Sequence, residues 1–176
     1  GPLFFTHYSF MGLDPRGLRE GGIDYFAQNR AHVRINRAHC LANPGQFAGY
    51  GPAWGLTSSD GPDGYEAFSP SHDRGVIAPT AALSSMPYMP RQAMAALHHF
   101  DRHAGGALWG RYGLADAFSD SAGWIAPSHL AINQGPIVVM IENWRSGLLW
   151  RLFMSAPEVQ AGLDRLGFDR GSSAIA

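Results

Sequence analysis

Between Trp54 and Tyr65 the chain reads WGLTSSDGPDGY: three glycines, a proline and two aspartates set between two aromatic residues. No apolar period runs through it, so it can be neither an amphipathic helix nor a half-buried strand, and its Gly-Pro-Asp-Gly centre is turn chemistry. The surrounding residues 44–78 are equally rich in Gly, Pro, Ser and Asp. A loop of that length is uncommon in a compact domain unless it is functional or disordered. Five aromatics (Phe47, Tyr50, Trp54, Tyr65 and Phe68) argue against disorder. The rest of the chain must therefore fold around an ordered functional loop. Aromatic faces beside carboxylates suit a sugar-binding cleft, because rings stack on pyranose faces and carboxylates accept hydroxyl hydrogen bonds or move protons. On local sequence, Asp60 and Asp63 could equally cap their own turns.

The flanking segments read as helices. Apolar residues from Ile23 to Ala42 recur at three- and four-residue steps, and Asn43-Pro44-Gly45 ends the pattern. Arg30, Arg34 and Arg37 share one side of that helix, which predicts ion pairs with a neighbouring element first and ligand contact second. Residues 79–86 read as a short helix or turn, and Pro90 opens an amphipathic helix that runs to Gly105-Gly106. His99 and His103 stand four apart on it, a spacing two metal ligands use, yet no carboxylate completes a pattern, and a solvated histidine face is the simpler reading. A second loop-rich segment, 107–133, carries Trp109, Tyr112, Phe118, Trp124, Asp116 and Asp120. Pro136 suits a first helical turn, and Ile137 to Ile141, apolar on every side, predicts a buried helix. Glu142 follows that run directly, so it is either paired with an arginine or held for a purpose. Pro157 and Glu158 start a last short helix, and the tail GSSAIA is expected to fray.

Composition narrows the chemistry. A length of 176 residues, with 45% hydrophobic and 15% charged residues, is that of one globular domain. A net charge of −1 argues against a nucleic-acid partner. All thirteen basic residues are arginine, which removes lysine Schiff-base chemistry and a lysine phosphate loop. Cys40 stands alone, so there is neither an internal disulfide nor a cysteine cluster for a metal, and a small buried hydrophobe is expected. No apolar run reaches the ~18–20 residues of a membrane span. The chain opens on Gly1-Pro2, so residues upstream are expected to be missing.

Taken together, HYSFMGLDPRG, NRAHCLANP, WGLTSSDGPDGY, PTAALSSMPY and AINQGPIVVMIENWRSGLLWRLFMSAPE resemble the bacterial glucoamylase-like family. That family includes endo-β-1,2-glucanases and the cyclisation region of cyclic β-1,2-glucan synthases. The resemblance covers about Pro2 to Phe168. It implies an all-α fold, part of an (α/α)6 toroid with long aromatic Gly-rich loops at the cleft end. Residues 1–176 would be a single unit, the C-terminal part of the catalytic domain.

The implied activity is hydrolysis of β-1,2-glucan, endo-acting and inverting, by two carboxyl groups and without a cofactor or metal. Asp60 is expected as the base or as a ligand of the reacting sugar, with Glu142 the next catalytic candidate. Trp54, Tyr65, Trp124 and Trp144 would be stacking platforms. Asp63, His7, Tyr8 and Gln134 would be polar groups of the cleft. The general-acid glutamate of the family is expected upstream of Gly1, so the partners implied are a glucan and either the missing N-terminal part or a second copy. The alternatives are a non-catalytic carbohydrate-binding remnant and a glucan-cyclising transglycosylase. A periplasmic or secreted location is expected, with the cytosolic domain of a membrane synthase as the alternative.

Overall fold

A computed structural model describes residues 1–169 of the chain. Among these residues seven α-helices carry the fold: α1 (Phe4–His7), α2 (Tyr25–Ala42), α3 (Pro79–Leu83), α4 (Pro90–Arg102), α5 (Ala131–Arg145), α6 (Leu148–Met154) and α7 (Pro157–Arg165). Local chemistry sets most of their ends. Asp24 caps α2 by accepting the Ala27 N–H at 2.9 Å, and Pro79, Pro90 and Pro157 open α3, α4 and α7, where a proline's missing N–H costs nothing.

Helix α5 departs from expectation. It begins at Ala131, five residues before Pro136, which sits inside the helix. The reason is the first turn: Asn133 and Gln134 donate their backbone N–H groups to Leu130 O, both at 2.9 Å, so the turn closes before the proline is reached. The apolar run is not wholly buried either. Met140 is enclosed, whereas Val138 is exposed.

Among the described residues no extended sheet forms, but four antiparallel ladders of two residues per strand tie down the loops. They pair β1 (Arg19–Glu20) with β2 (Ile23–Asp24), β3 (Ser58–Ser59) with β4 (Glu66–Ala67), β5 (Trp109–Gly110) with β6 (Gly113–Leu114), and β7 (Phe118–Ser119) with β8 (Trp124–Ile125). Helix α3 is buried along its whole length and packs on α4 and α5. Around it lies the main core, in which loop residues Trp54, Leu56, Phe68, Ile77 and Phe118 join Val33 and Cys40 of α2, Phe100 of α4 and Trp150 of α6. The Cys40 thiol is enclosed, and burial raises its pKa to about 12. It is a core residue, as expected.

The arginine side of α2 does not match expectation. Among the described residues Arg30, Arg34 and Arg37 form no ion pair. Arg30 and Arg34 line an open groove of about 470 Å³ with Arg16, Asp24 and Phe26. No helix among the described residues is long and apolar enough to cross a membrane. The tail GSSAIA lies outside the described residues.

Candidate active site

Four separate parts of the chain converge on one polar cluster. The β3–β4 hairpin delivers Asp60, the link between β6 and β7 delivers Asp116, the first turn of α5 delivers Asn133, and the residue after α1 delivers Tyr8. The Asp60 N–H donates to Asp116 Oδ2 at 2.9 Å, and Asn133 Nδ2 donates to Asp116 Oδ1 at 2.8 Å. The second Asn133 amide hydrogen goes to Ser58 O at 3.2 Å, and its Oδ1 accepts the Tyr8 hydroxyl at 2.9 Å. Thr80 Oγ1 donates to the Asn133 carbonyl at 2.7 Å, which locks the start of α5 onto α3. Every polar atom of the Asn133 side chain is thereby used, so its amide orientation is fixed by the network.

The two carboxylates of this cluster differ in kind. Asp116 is 1% exposed, and each of its oxygens accepts a donor from the protein. Burial pushes its pKa up, the donors from Asp60 and Asn133 pull it down, and the neighbouring Asp60 charge pushes it up again. Asp60 is half-buried, and its Oδ2 accepts the Ser128 hydroxyl. Asp116 donates its own N–H to Ser128 O at 3.0 Å, so one loop residue braces both aspartates. Asp60 is thus the carboxylate at the edge of the cluster, and Asp116 is the one behind it. Tyr8 has its pKa raised to about 12, first by burial and then by Tyr65 and Asp116. Tyr65, on the far side of the same hairpin turn, is 53% exposed.

Of the residues singled out from sequence, the fold brings together Tyr8, Asp60 and Tyr65, with Asp63 exposed at the turn between the last two. The others lie elsewhere. Trp54 is 2% exposed and belongs to the core, so neither ring face is presented to a ligand. His7 is also enclosed, with Nε2 3.0 Å from Ser85 Oγ. Trp124 packs half-buried against the core. Gln134 turns away from the cluster and donates to Leu114 O at 2.9 Å, pinning β6. Glu142 and Trp144 sit on α5 about 13 Å and 16 Å beyond Asn133 along the axis, at 1.5 Å per residue. The Glu142 carboxylate accepts from Ser146 Oγ at 2.5 Å and from Arg145 at 3.3 Å, an exposed i,i+3 pair. Trp144 is exposed. His103 bonds Asp120 at 2.9 Å, and its ring lies 5.3 Å from that of His99. Among the described residues no group of three or more His, Cys, Asp or Glu could hold a metal ion.

Sequence reasoning missed Asp116, Asn133 and Ser128 as members of the site. One signal was available: Asp116 is a lone charge inside the otherwise apolar run Leu114-Ala115-Asp116-Ala117-Phe118. A charge in such a run must be paired or held, which marks it for inspection.

Solved structures of similar proteins share this fold. The endo-β-1,2-glucanase of Chitinophaga pinensis, solved with sophorotriose and glucose, superposes with a TM-score of 0.92 at 54% identity, over 96% of this chain and 41% of that one. The β-1,2-glucanase of Parabacteroides distasonis superposes at 0.90 with 46% identity, over 94% of this chain and 24% of its own. The chain is also 46% identical, over 169 residues, to an exo β-1,2-glucooligosaccharide sophorohydrolase acting at the non-reducing end, from P. distasonis. It spans about a quarter of that relative's length and about two-fifths of the Chitinophaga enzyme's. The mostly helical architecture is that of the glucanase toroid. The model of the Glycoamylase family matches residues 1–157, and this chain belongs to that family.

Proposed function

We propose that this chain is the C-terminal portion of a glycoside hydrolase domain acting on β-1,2-glucan. The observation that carries the reading is the Asp60 carboxylate, held at the edge of a braced cluster beside Tyr8 and exposed Tyr65. Its chemistry follows from that placement. Asp60 takes a proton from water as the water oxygen bonds the anomeric carbon. The glycosidic bond to that carbon breaks on the opposite face, and the leaving oxygen takes a proton from a general acid. Ser128 and the Asp60 N–H contact with Asp116 fix the base in place before substrate arrives, so its orientation costs nothing at the moment of reaction.

The general acid, on this reading, comes from outside residues 1–176. Asp116 supports that assignment, because its oxygens are occupied and it is sealed from a ligand. Glu142 supports it too, engaged by Ser146 and Arg145 more than two turns away along α5. Exposed Val138 on α5, Leu152 and Phe153 on α6 and Ile35 on α2 are the apolar faces that the rest of the toroid covers. The relatives' activities on β-1,2-linked glucan favour that linkage as substrate. A periplasmic or secreted location is the one that suits an enzyme degrading a polysaccharide.

The test is reducing-end release from linear β-1,2-glucan, by this chain alone and by the intact protein that contains it. Turnover by the intact protein only is the expected result. Turnover by residues 1–176 alone would overturn the assignment of the acid. Glucan binding without turnover by either would favour the carbohydrate-binding remnant.

A further inference from the structure

The hairpin formed by β5 and β6 ends in a two-residue turn, Arg111-Tyr112, between Gly110 and Gly113. Tyr112 is 67% exposed, and the Arg111 guanidinium lies 5.3 Å from its ring centre. Nearby Trp109 is half exposed and donates its indole N–H to Asp101 at 3.0 Å. Apolar ring surface is costly to leave in water, and an arginine over one face of a ring holds it upright.

This tip is not a loose appendage. Gln134 grips the hairpin at Leu114 O, and Ala115 N–H donates to Leu108 O at 2.7 Å across its base. Two residues past Leu114 the chain reaches Asp116 of the polar cluster. A second connection runs through the adjoining loop. The His129 ring meets Tyr112 edge-on at 6.1 Å, and it packs so closely on Gly110 that a Cβ there would lie 2.3 Å from Nε2. The preceding residue is Ser128, whose hydroxyl holds Asp60. The Tyr112 ring therefore stands at a fixed offset from the Asp60 carboxylate, linked to it by two consecutive residues.

We propose that Tyr112 forms an outer sugar subsite, in which the ring face not covered by Arg111 stacks on a pyranose of the bound glucan. The proposal rests on the reading of Asp60 given above, since the subsite is useful only at a set distance from a cleavage point. A subsite away from that point acts on long chains and not on chains too short to reach it. It is thus a determinant of chain-length preference.

The experiment compares kcat/KM of the intact protein on a long linear β-1,2-glucan and on a short β-1,2-glucooligosaccharide, for wild type, Tyr112→Ala and Tyr112→Phe. The long-to-short ratio is expected to fall about three- to tenfold in Tyr112→Ala, the range of one aromatic contact. Tyr112→Phe keeps the ring and is expected to keep the wild-type ratio. An unchanged ratio in Tyr112→Ala overturns the subsite, and so does an equal loss of ratio in Tyr112→Phe. A lowered melting midpoint in Tyr112→Ala with the ratio unchanged would instead make the tip a packing contact. Wild-type protein that cleaves neither glucan would bring down the reading of Asp60, and the subsite with it.

Discussion

The Asp60 backbone N–H donates to Asp116 Oδ2 at 2.9 Å, so the buried aspartate holds the half-buried one by its main chain and not by its carboxylate. Asp116 is accordingly a positioning residue. Asp116→Ala would leave that N–H and one Asn133 amide hydrogen without acceptors, at about 1–3 kcal/mol for each buried donor. Asp116→Asn should fare little better, because one side of the new amide would turn N–H groups toward donors. Both variants are expected to melt lower and to lose kcat more than KM in the intact protein. A full kcat in Asp116→Asn would remove the positioning role.

Asp60→Asn keeps the backbone contact and the shape of the side chain but cannot take a proton from water. Loss of a general base lowers turnover by about 10²–10⁴-fold. Binding of glucan, measured by calorimetry, is expected to persist. Turnover within a few-fold of wild type would refute Asp60 as the base.

What could be read from sequence and what could not divides along the range of the interactions. Pro90 and Pro157 act on residues within one turn, so the starts of α4 and α7 were legible, whereas the apolar period read from Ile23 runs back into β2 and α2 begins only at Tyr25, behind the Asp24 cap. The loop around Asp60 was legible for the same reason, since glycine, proline and aspartate impose turns locally. Asp116 and Ser128 reach Asp60 across 56 and 68 residues of chain, and no local pattern encodes such pairings. The choice of Gln134 over Asn133 illustrates the limit. Adjacent helical residues point about 100° apart, so one enters the cluster and the other grips β6. Trp54 erred differently: an aromatic beside a functional loop serves a cleft or the core, and only packing decides which.

Glu142 and Arg145 face solvent, with side chains 29% and 68% exposed. Exposed pairs of this kind are worth about 0–1 kcal/mol, well below a buried pair. Glu142→Gln is therefore expected to shift the melting midpoint by no more than a few degrees and to leave turnover within about threefold of wild type. A drop in turnover of a hundredfold or more would return Glu142 to the chemistry.

His7 gives the fold a specific acid sensitivity. Burial holds its pKa down at about 3, with nearby His32 adding to the effect, against 6.5 for a free ring. Ser85 Oγ donates to Ala81 O at 2.7 Å, so the ring must donate its own Nε2–H to Ser85, and it does so neutral. Because the folded pKa is depressed, the unfolded chain binds the extra proton first. The stability from neutral His7 is complete above about pH 6.5 and drains as pH falls toward 3, by at most about 1.4 kcal/mol per pH unit. Melting followed from pH 7 to 4 should fall more steeply in wild type than in His7→Gln. Parallel curves would mean that the ring does not control this range.

Gly55 lets the Asp60 loop approach α3 as closely as it does. Its φ is +130°, a region L side chains rarely adopt, and its carbonyl accepts the Ala78 N–H at 3.0 Å. A Cβ at this position would lie 2.9 Å from Ala81 Cβ and 3.0 Å from Ala78 O. The second of these is backbone, so it cannot turn aside as a flexible side chain would. Gly55→Ala adds conformational strain to overpacking, at a combined cost of at least about 2 kcal/mol. The hairpin carrying Asp60 begins three residues later, so a displaced loop should disturb catalysis as well as stability. A melting midpoint several degrees lower, together with reduced kcat on glucan, is the expected result. Wild-type melting in Gly55→Ala would mean that the loop can stand off from α3 without cost, and the account of Gly55 as a required close approach would fail.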